Sequence, residues 1–240
     1  MPVSNAVPLL LASALALAGC GKSDKAFDDK VHAYLLAHPE VVQEAIDRLQ
    51  AKQQAQAAAQ AKVAIAQNRQ AIEHDPRDFV ANPNGKVTVT EFYDYRCPHC
   101  VNAAPAVVSL IQQNPDVRFV FKEFPIFGAA SDRAAAAAIA VKQAGGDYVG
   151  LYRDFMAARP LDDAAIDRIL QAHGVAPAKL DDPAFKAAAA TQLADVKRLA
   201  ITTLGIEGTP AFIIGDTLIP GEDMDAVRAA VTAARSRPPG

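Results

Sequence analysis

The two cysteines of Cys97-Pro98-His99-Cys100 constrain the fold of this 240-residue chain more than any other feature. Residues 86–92, just before the motif, alternate β-branched and polar side chains, which predicts a strand. Proline is favoured at the first position of a helix, so we expect a helix that begins at the motif. Two thiols at this spacing can form a redox-active disulfide, a structural disulfide or half of a metal site.

A metal site is the weaker interpretation, because zinc needs two further ligands that usually come from a second close pair. The third cysteine, Cys20, lies far away in the chain, and the histidines of the domain form no pair at ligand spacing. A structural disulfide is also weak, because so short a loop restricts the unfolded chain little. The sequence therefore favours a redox-active pair and predicts no metal.

The position of the pair at the start of a helix predicts that the two thiols differ in reactivity. The Cys97 sulfur would face unpaired backbone N–H groups and the positive end of the helix dipole, which lower the pKa of a thiol. His99 would add a partial positive charge and a possible donor to the sulfur. Cys100, one turn further along, is expected to be more buried and to resolve mixed disulfides. A stabilised Cys97 thiolate would make the disulfide a stronger oxidant.

The remaining pattern predicts an α/β domain. A strand, a helix and a second strand follow at lengths typical of parallel neighbours with a right-handed crossover. A block of helices comes next, and then a hairpin with a tight turn at Gly215-Asp216. The net charge is -3 and there is no basic run, so nucleic acid is not an expected partner. The predicted elements span residues 86–92, 101–113, 117–124, 131–204, 210–219 and 223–234.

This order of elements, with the cysteine motif and the later Gly208-Thr209-Pro210, resembles the DsbA family of the thioredoxin superfamily over about residues 82–235. The resemblance implies a thioredoxin-like fold with a helical insertion at about residues 131–204. It also implies thiol:disulfide oxidoreductase activity, with Cys97 as the nucleophile, Cys100 as the resolving thiol and no cofactor beyond their disulfide.

The same resemblance implies roles for further residues. Thr209 and Pro210 would form a cis-proline loop beside Cys97, since X-Pro bonds adopt the cis form at modest cost. Glu91, six residues before Cys97, occupies the position of an acidic residue beneath the family's disulfide and is a candidate proton relay to Cys100. An ordinary charge at a strand end is an equally good interpretation of Glu91. Lys122 is a possible partner cation that we do not include in the predicted site.

Residues 21–81 are predicted to form an extended helical arm before the domain, which would comprise residues 82–240. His38-Pro39 interrupts the arm, and no Gly or Pro follows until after residue 73. Val42, Ile46 and Leu49 have the spacing of a coiled-coil seam. The arm is either a solvated stalk or an oligomerisation segment over residues 31–50, with its contact face formed by Val41, Val42, Ala45, Ile46 and Leu49.

Residues 31–42 resemble the leading segment of the ScsC and Com1-like branch of the DsbA family. In that branch an N-terminal helical segment can assemble protomers, and some assembled members act as disulfide isomerases. The resemblance therefore favours a homo-oligomer over a stalk.

The first twenty residues predict export. Residues 7–18 form an apolar run too short to span a bilayer in the usual way. The run ends in Leu17-Ala18-Gly19-Cys20, which resembles the lipobox of bacterial lipoproteins. We expect residues 1–20 to be a signal peptide, Cys20 to carry a lipid, and the protein to lie in the periplasm; an ordinary secretory signal is the alternative. Lipidation of Cys20 would leave an even pair of cysteines.

These features favour an exported oxidoreductase that exchanges disulfides with cysteine-containing proteins, as an oxidase or an isomerase. A membrane redox partner is implied by the family. One alternative is a lipid-anchored, thioredoxin-like binding protein without turnover. Another is a peroxide-handling thiol enzyme, which would need an Arg near Cys97; strand alternation predicts that Arg96 points elsewhere.

Overall fold

A computed structural model describes residues 24–236 of the chain. The predicted signal peptide and Cys20 lie outside the described residues. The chain divides into two compact units, residues 1–52 and residues 53–240, and each is described by itself.

The first unit is helical in its described part. Asp24 is the N-cap of helix α1 (Lys25–Ala37), and its carboxylate accepts a hydrogen bond from the backbone N–H of Ala26 at 3.1 Å. The predicted break at His38-Pro39 is present, and α2 (Glu40–Gln67) begins directly after it and continues beyond the unit. All described residues up to residue 60 are exposed, and they include the apolar face proposed from the sequence.

The second unit contains a five-stranded mixed sheet with the strand order β1-β3-β2-β4-β5. Strands β2 and β3 are parallel, as the strand, helix and strand pattern predicted, and the other neighbouring pairs are antiparallel. The strands are β1 (Phe79–Ala81), β2 (Val87–Tyr93), β3 (Val117–Glu123), β4 (Ala211–Ile214) and β5 (Thr217–Pro220).

Helices pack on both faces of this sheet. One helix crosses from β2 to β3, a helical block separates β3 from β4, and a last helix follows β5, in the predicted order. The last helix of the block is followed by a π-helical turn, Leu199–Thr203. The remaining helices are α3 (Arg69–Glu73), α4 (Pro98–Gln113), α5 (Ala129–Gln143), α6 (Tyr148–Ala157), α7 (Asp163–Ala172), a 3-10 turn (Pro177–Asp181), α8 (Pro183–Arg198) and α9 (Met224–Arg235).

The two faces of the sheet bury different sets of side chains, because successive residues of a strand point to opposite faces. Tyr93 and Phe121 belong to the larger core, which the helical block and α9 also form. Phe92 belongs to a second, smaller core with Ile65 of α2 and Ile72 of α3. The cysteine motif comes directly after β2 in the chain, so the packed sheet fixes where the motif begins.

The second core shows where the structure differs from the sequence analysis. Residues 61–81 were assigned to the arm, yet Ile65 and Ile72 are fully buried and residues 79–81 pair with β3. No Gly or Pro marks the point where α2 becomes buried, so composition did not reveal the change. Strand β1 has only three residues, too few for an alternating pattern to be recognised.

Candidate active site

The cysteine motif lies at the junction of β2 and α4. The backbone N–H of Cys97 donates to the carbonyl oxygen of Asp94 at 3.1 Å, which closes a turn after the strand. Cys97 is the N-cap of α4 and Pro98 is its first residue, as the sequence indicated. The carbonyl of Cys97 accepts the first hydrogen bond of the helix, from Val101 at 3.0 Å. The Cys97 side chain therefore stands at the helix N-terminus.

Cys97 and Cys100 are free thiols and both are buried. The pKa of Cys97 is lowered to about 5. The largest cause is a hydrogen bond with the Cys100 thiol, and the backbone N–H groups of Cys100 and His99 lower the pKa further, against the effect of burial. The direction of the shift agrees with the expectation for a thiol at a helix N-terminus.

The thiol of Cys100 has the opposite shift. Burial raises its pKa far above the ordinary value, and the hydrogen bond with Cys97 and the negative charge of Glu91 raise it further. At neutral pH the reduced pair therefore consists of a Cys97 thiolate and a Cys100 thiol. Only the thiolate is nucleophilic, so the two cysteines are chemically distinct.

The loop before β4 lies against Cys97. The Thr209-Pro210 peptide bond is cis, and the Cys97 sulfur lies 3.1 Å from the carbonyl oxygen of Thr209. The antiparallel pairing of Phe92 with Ala211 explains this contact, because it places the residue before Ala211 near the end of β2. Two segments more than a hundred residues apart are thus brought together.

Glu91 lies behind Cys100 and is fully buried. Burial raises its pKa to about 8. The hydroxyl of Tyr152 is 3.4 Å from each oxygen of its carboxyl group. Because the charge of Glu91 acts on Cys100, the two groups are electrostatically coupled. Glu91 is therefore a buried carboxyl group whose charge acts on Cys100, and not a solvated charge at a strand end.

Lys122 lies on the other face of the sheet from Glu91. The strand register pairs Lys122 with Phe92, the residue after Glu91. The Lys122 ammonium contacts the Asp78 carboxylate and donates to the carbonyl oxygen of Ala71. Lys122 is therefore not placed as a partner cation of Glu91.

A buried carboxyl group beside Glu91 was missed in the sequence. One oxygen of Glu123 accepts hydrogen bonds from Tyr93 at 2.6 Å, Tyr95 at 3.0 Å and Tyr148 at 2.5 Å. Burial raises the pKa of Glu123 to about 8. A period of two along β2 and β3 would have placed Glu91, Tyr93 and Glu123 on one face, which is the signal that could have revealed the cluster.

The exposed side chains of Arg96 and His99 contact residues other than Cys97. His99 Nδ1 donates to Glu222 Oε1 at 3.2 Å, a contact that no sequence pattern predicted. The Arg96 guanidinium donates to the carbonyl oxygen of Phe127 at 3.2 Å. Arg96 is therefore not placed as the arginine that a peroxide-handling enzyme would need at Cys97.

Residues 24–236 contain no group of three or more His, Cys, Asp and Glu side chains arranged to hold a metal ion. In the same part of the chain, no helix is long and apolar enough to cross a membrane.

Comparison with known families identifies the domain that carries this site. Residues 88–232, more than half of the chain, match the DSBA-like thioredoxin domain. The chain belongs to the DSBA-like thioredoxin domain family. Residues 25–56 match the N-terminal domain of the copper resistance protein ScsC. The sequence predictions of a DsbA family member with an ScsC-like leading segment, and of a thioredoxin-like fold, are confirmed.

Solved structures of other members support the same fold. A linker-deletion variant of Proteus mirabilis ScsC is 26% identical, covers 92% of this chain and 99% of its own, with a TM-score of 0.66. A thioredoxin-like oxidoreductase from Silicibacter pomeroyi is 35% identical, with coverages of 71% and 99% and a TM-score of 0.63. A periplasmic thioredoxin-like protein from Salmonella enterica serovar Typhimurium is 29% identical, with coverages of 70% and 96% and a TM-score of 0.62.

Two curated antiporters also match, over a short stretch. Over 54 residues the chain is 43% identical to the Na(+)/H(+) antiporter NhaA 3 of Salinispora tropica and 41% identical to NhaA 1 of Salinispora arenicola. The matched stretch is 22% of this chain. It covers only 8% of the length of either antiporter. We do not transfer their transport activity to this chain.

Proposed function

We propose that this protein is an exported thiol:disulfide oxidoreductase that exchanges disulfides with cysteine-containing proteins through Cys97 and Cys100. The observation that carries the proposal is the opposite shift of two thiol pKa values within one helical turn. The lowered pKa of Cys97 supplies a thiolate at neutral pH, and the raised pKa of Cys100 keeps the second thiol protonated.

In the oxidising direction a substrate thiolate attacks the Cys97 sulfur of the Cys97–Cys100 disulfide. A substrate–Cys97 disulfide forms, the Cys97–Cys100 bond breaks, and Cys100 leaves with the electron pair and takes up a proton. A second substrate thiolate then attacks the substrate sulfur of the mixed disulfide, and Cys97 leaves as a thiolate. The protein gains two electrons and one proton, and the substrate loses two electrons.

Glu91 is proposed to deliver the proton that Cys100 takes up. A carboxyl group with a pKa of about 8 is partly protonated near neutral pH and is therefore suited to proton transfer there. Its position beside a buried sulfur supports this role, because solvent does not reach Cys100 directly. Thr209 and Pro210 are proposed to present backbone groups to an incoming peptide strand.

Different observations support an oxidase and an isomerase. The stabilised thiolate of Cys97 favours the reduced pair and so an oxidising disulfide. The exposed apolar face of the first unit and the ScsC-like match over residues 25–56 favour an assembled isomerase. We propose that residues 31–50 associate with a second copy of the chain, because a helix of this kind cannot bury its apolar face on itself.

The location and the domain boundaries are part of the proposal. The lipobox-like end of the leader supports export, a periplasmic location and a lipid on Cys20. A membrane protein that restores the redox state of the pair is the proposed partner. We propose a signal peptide over residues 1–20, an arm that ends before the buried part of α2, and a thioredoxin domain thereafter.

Turnover of a reduced, unfolded substrate protein tests the proposal. In a buffer of reduced and oxidised glutathione, wild-type protein is expected to oxidise the substrate's thiols to disulfides and to reshuffle those disulfides, and Cys97→Ser protein is not. A binding protein without turnover would retain its function in the Cys97→Ser variant, and that result would reject the proposed activity.

A further inference from the structure

The contact between His99 and Glu222 links the active-site motif to the turn after β5. His99 Nδ1 donates to Glu222 Oε1 at 3.2 Å, across 123 residues of sequence. The side chains are 66% and 38% exposed, so this pair lies at the rim of the site. Within residues 24–236, Glu222 is the acidic residue that the His99 ring contacts.

The position of Glu222 is fixed by the loop that also contacts Cys97. The backbone N–H of Gly221 donates to the carbonyl oxygen of Pro210 at 2.8 Å. Gly221 has a φ of 79°, a conformation that favours glycine, and it turns the chain toward α9. The carbonyl of Glu222 accepts a hydrogen bond from Met224 at 2.8 Å. The backbone next to Glu222 is therefore hydrogen-bonded to the cis-proline loop and to the start of α9.

This contact changes what the His99 ring can do for the Cys97 sulfur. A ring nitrogen that donates to Glu222 cannot also donate to Cys97, so only Nε2 is left. When the ring is protonated, the Glu222 carboxylate balances its positive charge. The groups that lower the pKa of Cys97 include the Cys100 thiol and the backbone N–H groups of His99 and Cys100.

We propose that Glu222 is a positioning residue that engages the His99 imidazole and thereby limits how strongly the Cys97–Cys100 disulfide oxidises its substrates. Without the carboxylate, His99 would be free to turn toward Cys97, and one negative charge would leave the rim. Both changes favour a thiolate at Cys97, which exists only in the reduced protein. The reduced form would gain stability and the disulfide would become more oxidising. The inference rests on the proposed function.

Three other charged groups near the pair, Glu91, Asp223 and Arg96, contact residues other than His99. Glu91 lies behind Cys100 and is buried. The Asp223 carboxylate accepts a hydrogen bond from Ala226 at the start of α9. The Arg96 guanidinium donates to Phe127. The His99 ring, Glu222 and the two thiols are thus the groups whose interactions the substitution is expected to change.

A double-mutant cycle tests the proposal on the full chain. The equilibrium constant of the Cys97–Cys100 pair with glutathione is measured for wild type, Glu222→Gln, His99→Ala and the double variant. Glu222→Gln is expected to shift the constant toward the dithiol by about two- to fivefold, the effect of a partly exposed ion pair. In the His99→Ala background the same substitution is expected to give a smaller shift, because only the loss of the negative charge then acts on Cys97.

Asp225→Asn is the matched control, because it removes an equal charge from an exposed side chain at the start of α9. It is expected to leave the constant unchanged, and thermal unfolding checks that every variant is folded. An unchanged constant in Glu222→Gln, a shift toward the disulfide, or an equal shift in the His99→Ala background would overturn the inference. Wild-type protein that exchanges with glutathione but catalyses no substrate turnover rejects the proposed function alone. Wild-type protein that does not exchange rejects both.

Discussion

The sulfur of Cys97 lies 3.1 Å from the carbonyl oxygen of Thr209, although the two residues are 112 positions apart. The contact exists because β2 and β4 are antiparallel neighbours, and the motif follows one strand while the cis-proline loop precedes the other. The reactive sulfur is therefore covered by the cis-proline loop.

Cys100→Ser is expected to trap substrates on Cys97. The Cys97 thiolate would still attack a substrate disulfide, but no second thiol would be present to resolve the mixed disulfide. Non-reducing electrophoresis after incubation with an oxidised substrate protein measures the adduct, and Cys97→Ser is the matched control. Equal adduct from both variants would contradict the assignment of Cys97 as the nucleophile.

Glu91→Gln is expected to slow the oxidation of substrates by about tenfold or more, because an amide cannot deliver the proton that Cys100 takes up. The rate is measured by stopped-flow mixing of the disulfide form with a reduced peptide. Glu207→Gln, an exposed acid near the cis-proline loop, is the control and should keep the wild-type rate. A Glu91→Gln rate equal to that of wild type would exclude Glu91 as the relay.

Glu123 is expected to give the folded protein a stability that falls as the pH rises. Its pKa is about 8 in the folded state and 4.5 ordinarily, so the folded state holds a proton that the unfolded state has lost. Stability should therefore decrease between about pH 4.5 and pH 8. The lowered pKa of Cys97 acts in the opposite direction, so the comparison is made in the Cys97→Ser background.

The measurement is denaturant unfolding of Cys97→Ser protein with and without Glu123→Gln across this pH range. The substitution is expected to flatten the decrease, and Glu91 should retain a contribution of the same sign. A decrease of equal size in both proteins would contradict the role of Glu123.

Tyr148→Phe is expected to lower the free energy of unfolding by about 1–3 kcal/mol, because it leaves a buried carboxyl group short of a donor. Tyr34→Phe is the control, since Tyr34 is exposed and makes no contact with Glu123. Thermal or urea unfolding compares the two variants. Equal stabilities would mean that the other tyrosine hydroxyls satisfy Glu123 without Tyr148.

Much of the site could be predicted from the sequence because its determinants are local. Pro98 indicated where α4 begins, and the order of the cysteine motif and Gly208-Thr209-Pro210 suggested the family. Lys122 shows the limit of this approach, because the side chain suggested as a partner cation faces away from Glu91. The contacts of Glu123 and Glu222 depend on residues from distant elements that share no local pattern, so only the folded chain reveals them.

The N-terminal segment can be tested by two truncations. A chain that begins at Gln53 keeps the buried part of α2 and all of β1, and it should fold. A chain that begins at Asn82 loses Ile65 and Ile72 from the second core, and it should be less stable by several kcal/mol. Sedimentation of the intact chain and the chain from Gln53 then measures assembly. If both sediment as monomers, the proposed oligomer and the argument for an isomerase are wrong.

Titration of thiolate absorbance in the reduced protein tests the chemical asymmetry of the pair most directly. Cys20 is replaced by Ser in every sample, and Cys97→Ser protein supplies the background from Cys100. The expected result is one thiolate that forms with a midpoint near pH 5, while Cys100 stays protonated through neutral pH. A Cys97 midpoint near the free value of about 8.5 would contradict the proposed function.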